Sequence, residues 1–257
     1  MIRPILVLTG FACLTLPLMP IQWVLNALNL TSASKLPHRY HKWVCRLLGI
    51  SVFVDGQVFN DKPVLLVANH VSWLDIPILS SIAPISFIAK REVSNWPFVG
   101  WLAKLQRTIF IDREKRSAVG ETATEITNRL VAGEFIVLFA EGTSNDGNIV
   151  LPFRSALFGA IQTPGANIEV QTISIAYTKL HGIPVGREGR PRIAWYGDME
   201  MADHAWQLLK AGPIDVHVKF GNPITFSGEI NRKQVADLTE KEVRRNVAEL
   251  IKNGVKR

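Results

Sequence analysis

The chain has 257 residues, of which 47% are hydrophobic and 20% are charged, so it can bury a full hydrophobic core and is not intrinsically disordered. Its formal net charge is +7, and the whole surplus lies in residues 1–120, which hold 13 Lys and Arg against 6 Asp and Glu. Because no recognition motif or basic-aromatic stripe points to nucleic acid, an anionic membrane surface is the favoured partner.

The first apolar block is a candidate membrane anchor. Residues 4–34 contain no Lys, Arg, Asp or Glu over 31 positions, more than the roughly 20 residues that cross a bilayer. Four residues interrupt the block: Pro17, Pro20, Gln22 and Asn26. The interruptions predict two short segments, 5–16 and 21–30, in a re-entrant hairpin or a pair of interfacial helices. A cleaved signal peptide is the alternative, although its cleavage pattern is weak. We predict that residues 1–34 are a retained anchor.

A cluster of basic residues follows the apolar block: Lys35, Arg39, Lys42 and Arg46. Basic residues that flank an apolar segment are typical of a cytoplasmic membrane face rich in anionic lipid. We therefore predict that the protein is held at a membrane, on the cytoplasmic face of the inner membrane.

Residues 35–257 are predicted to form one α/β domain, with a mixed, largely parallel sheet flanked by helices. The segment 49–59 is predicted to be a strand or a small hairpin, and the other predicted strands are 63–70, 85–93, 108–113, 134–143, 169–178, 191–198 and 214–221. The predicted helices are 72–82, 99–106, 116–133, 154–162 and a C-terminal surface helix.

Polar residues end three of the predicted strands, where open α/β sheets place their sites. These residues are Asn69 and His70, Asp112 and Arg113, and Glu141, Gly142 and Thr143. If the strands are parallel neighbours, we expect these groups to converge on one edge of the sheet.

His70 and Asp75 form a candidate catalytic pair. On one continuous helix, positions five apart are rotated by about 140° and do not meet. If His70 precedes the helix and Asp75 lies in its first turns, the carboxylate can orient the imidazole and leave the other ring nitrogen as a base for a substrate hydroxyl. The alternatives are a satisfied core histidine and a zinc site. No second His stands at the usual ligand spacing, so we expect no metal.

Four collinear segments resemble the motifs of the glycerolipid acyltransferases. "NHVSWLD" (69–75) matches their Asn-His-x4-Asp signature, and "FAEGTS" (139–144) matches their Phe-Pro-Glu-Gly-Thr-Arg block. "TIFIDR" (108–113) and "LPFRSALF" (151–158) resemble the intervening and following segments. That family includes lysophosphatidic acid acyltransferases and bacterial lyso-ornithine lipid acyltransferases.

The resemblance implies a membrane-bound O-acyltransferase of phospholipid biosynthesis. It would move a fatty acyl group from acyl-CoA or acyl carrier protein, as co-substrate with no cofactor, to the free hydroxyl of a lyso-lipid of the 1-acylglycerol-3-phosphate type. His70 would be the general base and Asp75 its orienting partner. The implied substrate-binding residues are Arg113 at the anionic head group, Glu141, Gly142 and Thr143 around the acceptor, and Arg154, where relatives often carry Lys.

The chain departs from the family motifs at Ala140, Ser144 and Ser174, which replace Pro, Arg and Pro. Without an Arg at position 144 the site lacks one bidentate phosphate ligand, so lyso-ornithine lipid is an alternative acceptor. A non-catalytic lipid-binding membrane protein is the alternative of another class, but it would not need His70 and Asp75 together with Glu141. A hydrolase that uses the same base to activate water is a third possibility.

Overall fold

A computed structural model describes residues 2–112, 116–162, 168–225 and 231–254. The helices are α1 (Ile2–Ala27), α2 (Ser32–Leu48), α3 (Asp75–Ile82), α4 (Val99–Leu105), α5 (Arg116–Val131), α6 (Met201–Ala211) and α7 (Arg232–Gly254). The strands are β1 (Ile50–Asp55), β2 (Val64–Ala68), β3 (Ile85–Lys90), β4 (Ile109–Ile111), β5 (Phe135–Phe139), β6 (Glu169–Leu180), β7 (Ile183–Pro184), β8 (Ile214–Phe220) and β9 (Ile224–Thr225). Short 3-10 helices span Arg91–Asn95, Ser155–Gln162 and Arg190–Arg192.

The described strands form one mixed sheet in the order β1-β8-β6-β2-β5-β3-β4, with β7 and β9 paired to β6. β2 is parallel to both of its neighbours, β5 and β6, whereas β6 and β8 are antiparallel. All five residues of β2 are buried, because helices cover both faces of the sheet. The predicted α/β class, with a largely parallel sheet flanked by helices, is confirmed.

Alternate residues of the central strands supply two separate cores. Leu66 packs on the face covered by α2, α3 and α6, whereas Leu65 and Val67 pack on the face covered by α5 and α7. Because β2 and β5 are parallel neighbours, their carboxyl ends meet at one edge of the sheet, and β6 continues past them. That edge carries the candidate site.

Residues 2–27 of the N-terminal block form one continuous helix, α1, and a turn at 28–31 leads into α2, so the break predicted between residues 16 and 21 is wrong. The polar residues that suggested a break bind the rest of the protein. Gln22 Nε2 donates to the carbonyl oxygens of Ala33 (2.8 Å) and Leu105 (3.0 Å), and Asn26 Nδ2 donates to Leu105 O (3.1 Å). Pro17 removes one backbone donor, but its φ is compatible with a helix, and packing against the domain keeps the helix intact.

The opposite end of α1 is fixed as well. The Arg3 guanidinium donates to Leu48 O (2.8 Å) and to Leu209 O, at the carboxyl ends of α2 and α6. By length and composition α1 could cross a membrane, with 26 residues and a mean hydropathy of 1.9 over its most apolar window, of which 17% is buried. Since α2 begins at Ser32, the boundary predicted between residues 34 and 35 falls inside α2. The division into anchor and domain stays a prediction.

The strand predicted at residues 191–198 is wrong. Its first residues lie in a 3-10 turn, and Ile193 and Ala194 enter the core from a loop. The Trp195 N–H donates to Val71 O (3.0 Å), beside the candidate site, rather than to a strand. The apolar residues that suggested a strand are buried without forming a ladder.

We expect Gln22→Leu to lower the free energy of unfolding by about 1–3 kcal/mol, because the buried carbonyl of Ala33 loses its donor. The measurement is chemical unfolding in mild detergent. Gln207→Leu, at an exposed position of α6, is the matched control. Equal stability of the two variants would contradict a fastening role for Gln22.

Candidate active site

Asn69 closes the end of β2 against β6. β6 continues beyond Ile173, which pairs with the last residue of β2. The Asn69 side chain takes the place of the next strand residue, since Nδ2 donates to Ile175 O (3.0 Å) and Oδ1 accepts from Ile175 N–H (2.8 Å). The chain can therefore leave the sheet at His70, because the Asn69 side chain pairs with the N–H and C=O of Ile175 in place of a further strand residue.

The carboxylate of Asp75 organises the loop between β2 and α3. Asp75 is fully buried at the first position of α3. Its Oδ2 accepts from His70 Nδ1 (2.8 Å) and from the backbone N–H groups of Val71 (2.8 Å) and Ser72 (3.1 Å). His70 thus lies in the loop and Asp75 in the first helical turn, which is the arrangement that the spacing of five requires.

This geometry sets the tautomer of His70. Since Asp75 Oδ2 already accepts two backbone N–H groups, Nδ1 carries the ring hydrogen and Nε2 keeps its lone pair. Among the residues that the structure describes, Nε2 has no hydrogen-bond partner, and the side chain is 19% exposed. The ring stacks on Phe139, with centroids 4.0 Å apart. The imidazole can therefore act as a base toward a group that approaches from solvent or lipid.

Tyr177 completes the environment of Asp75. Its hydroxyl donates to Asp75 Oδ1 (2.6 Å), and burial raises the pKa of Tyr177 well above its usual value, so that it stays a donor. Sequence reasoning missed this residue. A signal was present, because Tyr177 follows Ile173 and Ile175 at strand spacing, on the face that meets the end of β2.

A second buried carboxylate, Glu141, holds the main chain of His70. Oε1 accepts the His70 N–H (2.8 Å), and Oε2 accepts from Leu151 N–H (2.9 Å) and Asn145 Nδ2 (2.6 Å). Asn145 also donates to His70 O from Nδ2 (3.1 Å) and from its backbone N–H (3.2 Å). The loop after β5 therefore clamps both the N–H and the C=O of His70. Sequence reasoning did not identify Asn145 as a site residue.

The environment of Glu141 opposes its ionisation. Burial raises the pKa of the Glu141 carboxyl to about 7, although the backbone N–H groups of His70 and Leu151 and the Asn145 amide act in the opposite direction. Only 1% of the residue is exposed. The resemblance assigned Glu141 to acceptor binding, whereas its oxygens here bind protein donors and position His70.

The remaining predicted residues lie around this core. Gly142, half-buried, has φ 72°, in the left-handed region that glycine enters without strain. Thr143 and Arg154 are exposed, and the Arg154 backbone N–H donates to Ala140 O (2.9 Å) beside Glu141. Arg113 lies outside the described residues. Asp112 follows β4, three strands from β2 and so about 14 Å away, and it does not join the pair.

No group of three or more His, Cys, Asp or Glu side chains is arranged to hold a metal ion within residues 2–112, 116–162, 168–225 and 231–254. The chemistry that these described residues offer is proton transfer at His70 Nε2.

The raised pKa of Glu141 predicts a pH-dependent stability. The folded state binds the Glu141 proton more tightly than the unfolded chain does. The resulting contribution to the free energy of unfolding is therefore fully present below the unfolded pKa of 4.5 and is lost as pH rises through about 7. Unfolding free energies of the wild type and Glu141→Gln should therefore diverge by about 3 kcal/mol between pH 4.5 and 8, to the disadvantage of the wild type. Denaturant titrations at several pH values measure this difference. A constant difference would contradict the titration of Glu141.

Comparisons with known proteins agree with the motifs and the fold. The Acyltransferase family model matches residues 51–190. The lyso-ornithine lipid O-acyltransferase of Brucella abortus is 44% identical over 248 residues, covering 95% of this chain and 93% of the relative. That of Rhizobium meliloti is 40% identical over 243 residues, covering 93% and 83%.

Less similar proteins match by sequence in one case and by structure in another. The 1-acyl-sn-glycerol-3-phosphate acyltransferase of Neisseria meningitidis serogroup B is 31% identical over 186 residues, covering 72% of this chain and 70% of the relative. The crystal structure of the 1-acyl-sn-glycerophosphate acyltransferase PlsC from Thermotoga maritima superposes with a TM-score of 0.68 at 25% identity, covering 97% of this chain and 96% of that one. The match over residues 51–190, which include His70, Asp75 and Glu141, shows that this chain belongs to the acyltransferase family and is an enzyme of that class.

Proposed function

We propose that this acyltransferase transfers a fatty acyl group to the free hydroxyl of lyso-ornithine lipid, with acyl-CoA or acyl carrier protein as the donor and with no cofactor or metal. The observation that carries the proposal is the His70–Asp75 pair, with Nε2 of His70 left without a protein partner among the described residues. Relatives at 44% and 40% identity, matched over more than nine tenths of this chain, are named lyso-ornithine lipid O-acyltransferases.

The proposed step is a direct transfer. His70 Nε2 takes the proton of the acceptor hydroxyl while the hydroxyl oxygen attacks the carbonyl carbon of the thioester. The C–O bond forms, the C–S bond of the tetrahedral intermediate breaks, and His70 returns the proton to the leaving thiolate. Asp75 stabilises the imidazolium between these two transfers through the 2.8 Å bond to Nδ1. The products are an ester and a free thiol, so protons and electrons balance.

The proposed acceptor follows from position 144 and from the relatives. Ser144 stands where the family motif has Arg, so this site lacks a guanidinium that would bind phosphate in bidentate fashion. A head group without phosphate fits this change. Lysophosphatidate is the second candidate, because the Neisseria relative and the Thermotoga enzyme are named for it. Arg113 and Arg154 are the proposed ligands of the carboxylate or phosphate of the head group, and Gly142 and Thr143 are the proposed residues around the acceptor.

We also propose that α1 lies in the membrane interface rather than across the bilayer. Both of its ends are bonded to the domain, near Arg3 and near Gln22, so it does not leave the domain as a stalk. Large apolar side chains are exposed along its length: Ile5, Leu6, Leu8, Leu16, Ile21, Trp23 and Val24. Because α1 is fastened to the domain at both ends, these exposed side chains can be buried among the lipids of one leaflet without the helix leaving the domain.

The basic residues of α2 favour the cytoplasmic leaflet. Lys35, Arg39, Lys42 and Arg46 are all exposed. Their spacings of four, three and four residues bring them onto one stripe of the helix, while the opposite side, with Ala33, Pro37, Val44, Cys45 and Leu48, is buried. A basic stripe next to an apolar interfacial helix attracts anionic lipid.

His70→Ala should reduce acyl transfer by about 10²- to 10⁴-fold while the fold is retained, because the general base is lost. Membranes that carry the wild type or the variant receive labelled acyl-CoA or acyl carrier protein with lyso-ornithine lipid or lysophosphatidate in parallel. We expect acylated ornithine lipid from the wild type and a much lower yield from lysophosphatidate. Near-normal turnover by His70→Ala would exclude it as the base, and preferential transfer to lysophosphatidate would overturn the proposed acceptor.

Tyr177→Phe should lower kcat by about tenfold with little change in KM, because the Asp75 carboxylate loses the hydrogen bond, worth about 1.5–3 kcal/mol, that holds it in its orientation toward the His70 ring. With one donor fewer, Asp75 holds more negative charge beside the imidazole, so the acid limb of the kcat/KM pH profile should move to higher pH. Tyr40→Phe is the matched control, since the Tyr40 hydroxyl bonds only Thr15 (2.8 Å) among the described residues. An unshifted pH profile for Tyr177→Phe would show that Tyr177 does not influence His70 through Asp75 and has a structural role alone.

A further inference from the structure

The segment 96–101, here called the aromatic loop, runs from the end of the 3-10 helix Arg91–Asn95 into the first turn of α4 and presents large apolar side chains to the outside. Trp101 is 65% exposed and Phe98 is 42% exposed. The loop is held in place because Gly100 packs closely against the Ser94 carbonyl, with no room for a Cβ between them. These side chains are therefore displayed on a fixed turn of the chain.

The aromatic loop is connected through two contacts to the loop between β2 and α3, which carries His70. The Trp195 N–H donates to Val71 O (3.0 Å), next to His70. The Trp195 ring meets the Trp96 ring edge to face, with centroids 5.8 Å apart. The loop thus stands beside the edge of the sheet where the reaction is proposed to occur.

The aromatic loop also continues the surface of α1. The rings of Phe98 and Phe11 lie edge to face at 6.4 Å. At the other end of α4, the Leu105 carbonyl accepts from Gln22 (3.0 Å) and Asn26 (3.1 Å) of α1. α4 therefore runs alongside α1, and the exposed rings extend the apolar side of that helix.

The charges around the aromatic loop are mostly positive. Lys90, Arg91 and Lys104 are exposed, against one exposed acidic residue, Glu92. Aromatic side chains flanked by Lys and Arg are typical of segments that sit among lipid head groups.

We propose that the aromatic loop is a second membrane contact, which inserts beside α1 into an anionic bilayer and turns the catalytic edge of the sheet toward the lipid. The proposal rests on the membrane location proposed for α1 and adds the orientation of the domain on that surface. With α1 as the sole contact, the domain could still rotate about the helix axis. A second contact at the aromatic loop prevents this rotation and fixes the orientation of the domain on the membrane. A lyso-lipid would then reach His70 from the bilayer past Trp96 and Trp195.

The test is a depth measurement with a fluorophore at single positions. In a Cys13→Ser background, three variants are labelled separately: Leu16→Cys on α1, Trp101→Cys on the aromatic loop and Leu238→Cys on α7. Leu238 is 46% exposed and lies on the helix that covers the opposite face of the sheet. Cys45 stays unlabelled, because it is buried and burial raises the pKa of its thiol to about 11. Full-length protein is bound to vesicles of phosphatidylethanolamine and phosphatidylglycerol with a shallow spin-labelled lipid.

We expect quenching at positions 16 and 101 and none at position 238. Quenching at 16 without quenching at 101 would overturn the second contact and leave the membrane location of α1 standing. Absence of quenching at 16 and 101 alike would remove both the anchor and the loop contact, while the chemistry at His70 would be unaffected.

An activity measurement separates lipid contact from a folding defect. Phe98→Ser combined with Trp101→Ser should lower turnover of an acceptor presented in vesicles several-fold and leave turnover of a short-chain, water-soluble acceptor unchanged. Leu238→Ser is the matched control and should change neither rate. An equal loss with both acceptors would contradict a membrane role for the aromatic loop.

Discussion

The need to satisfy the buried carboxylate of Asp75 is the constraint on which the rest of the site depends. A carboxylate without solvent is strongly destabilising unless donors surround it. Here the donors are the His70 ring, two backbone N–H groups of the loop and the Tyr177 hydroxyl. The loop wraps around Asp75 to supply three of these four donors, and in doing so it fixes the direction and tautomer of the imidazole. Local stability and the orientation of the base therefore have a common cause.

The second carboxylate acts on the backbone rather than on the ring. Glu141 and Asn145, from the loop after β5, hold the N–H and C=O of His70, while Asp75 holds its side chain. The two loops belong to neighbouring parallel strands, so their relative position is set by the ladder between β2 and β5. A base restrained at both its main chain and its side chain needs little rearrangement when an acceptor binds. This explains why an acidic residue of the second motif is found in the interior.

The sequence predicted those features that local patterns determine. Buried strands appear as apolar runs, and a spacing of five with a helix start between the two residues implies that His70 and Asp75 can meet. The features that it missed depend on partners far along the chain. Gln22 looks like an interruption of an apolar helix until the carbonyl at Leu105 is known, and Tyr177 looks like one more core residue until Asp75 lies opposite it. Residues 191–198 carry an apolar pattern, but their apolar side chains are buried from a loop. The pattern alone does not distinguish a buried loop of this kind from a strand.

The fold also relates the chemistry to its lipid substrate. Acceptor and product of the proposed reaction both reside in a bilayer, so the frequency of productive encounters depends on how the catalytic edge faces that surface. A spanning helix on a linker would keep the domain near the membrane but free to tumble. α1 is instead bonded to the domain near Arg3 and near Gln22, a separation of about 28 Å along the helix. A helix fastened over that length transmits its own orientation to the sheet, so binding of α1 to the interface already restricts the direction from which a lyso-lipid can approach His70.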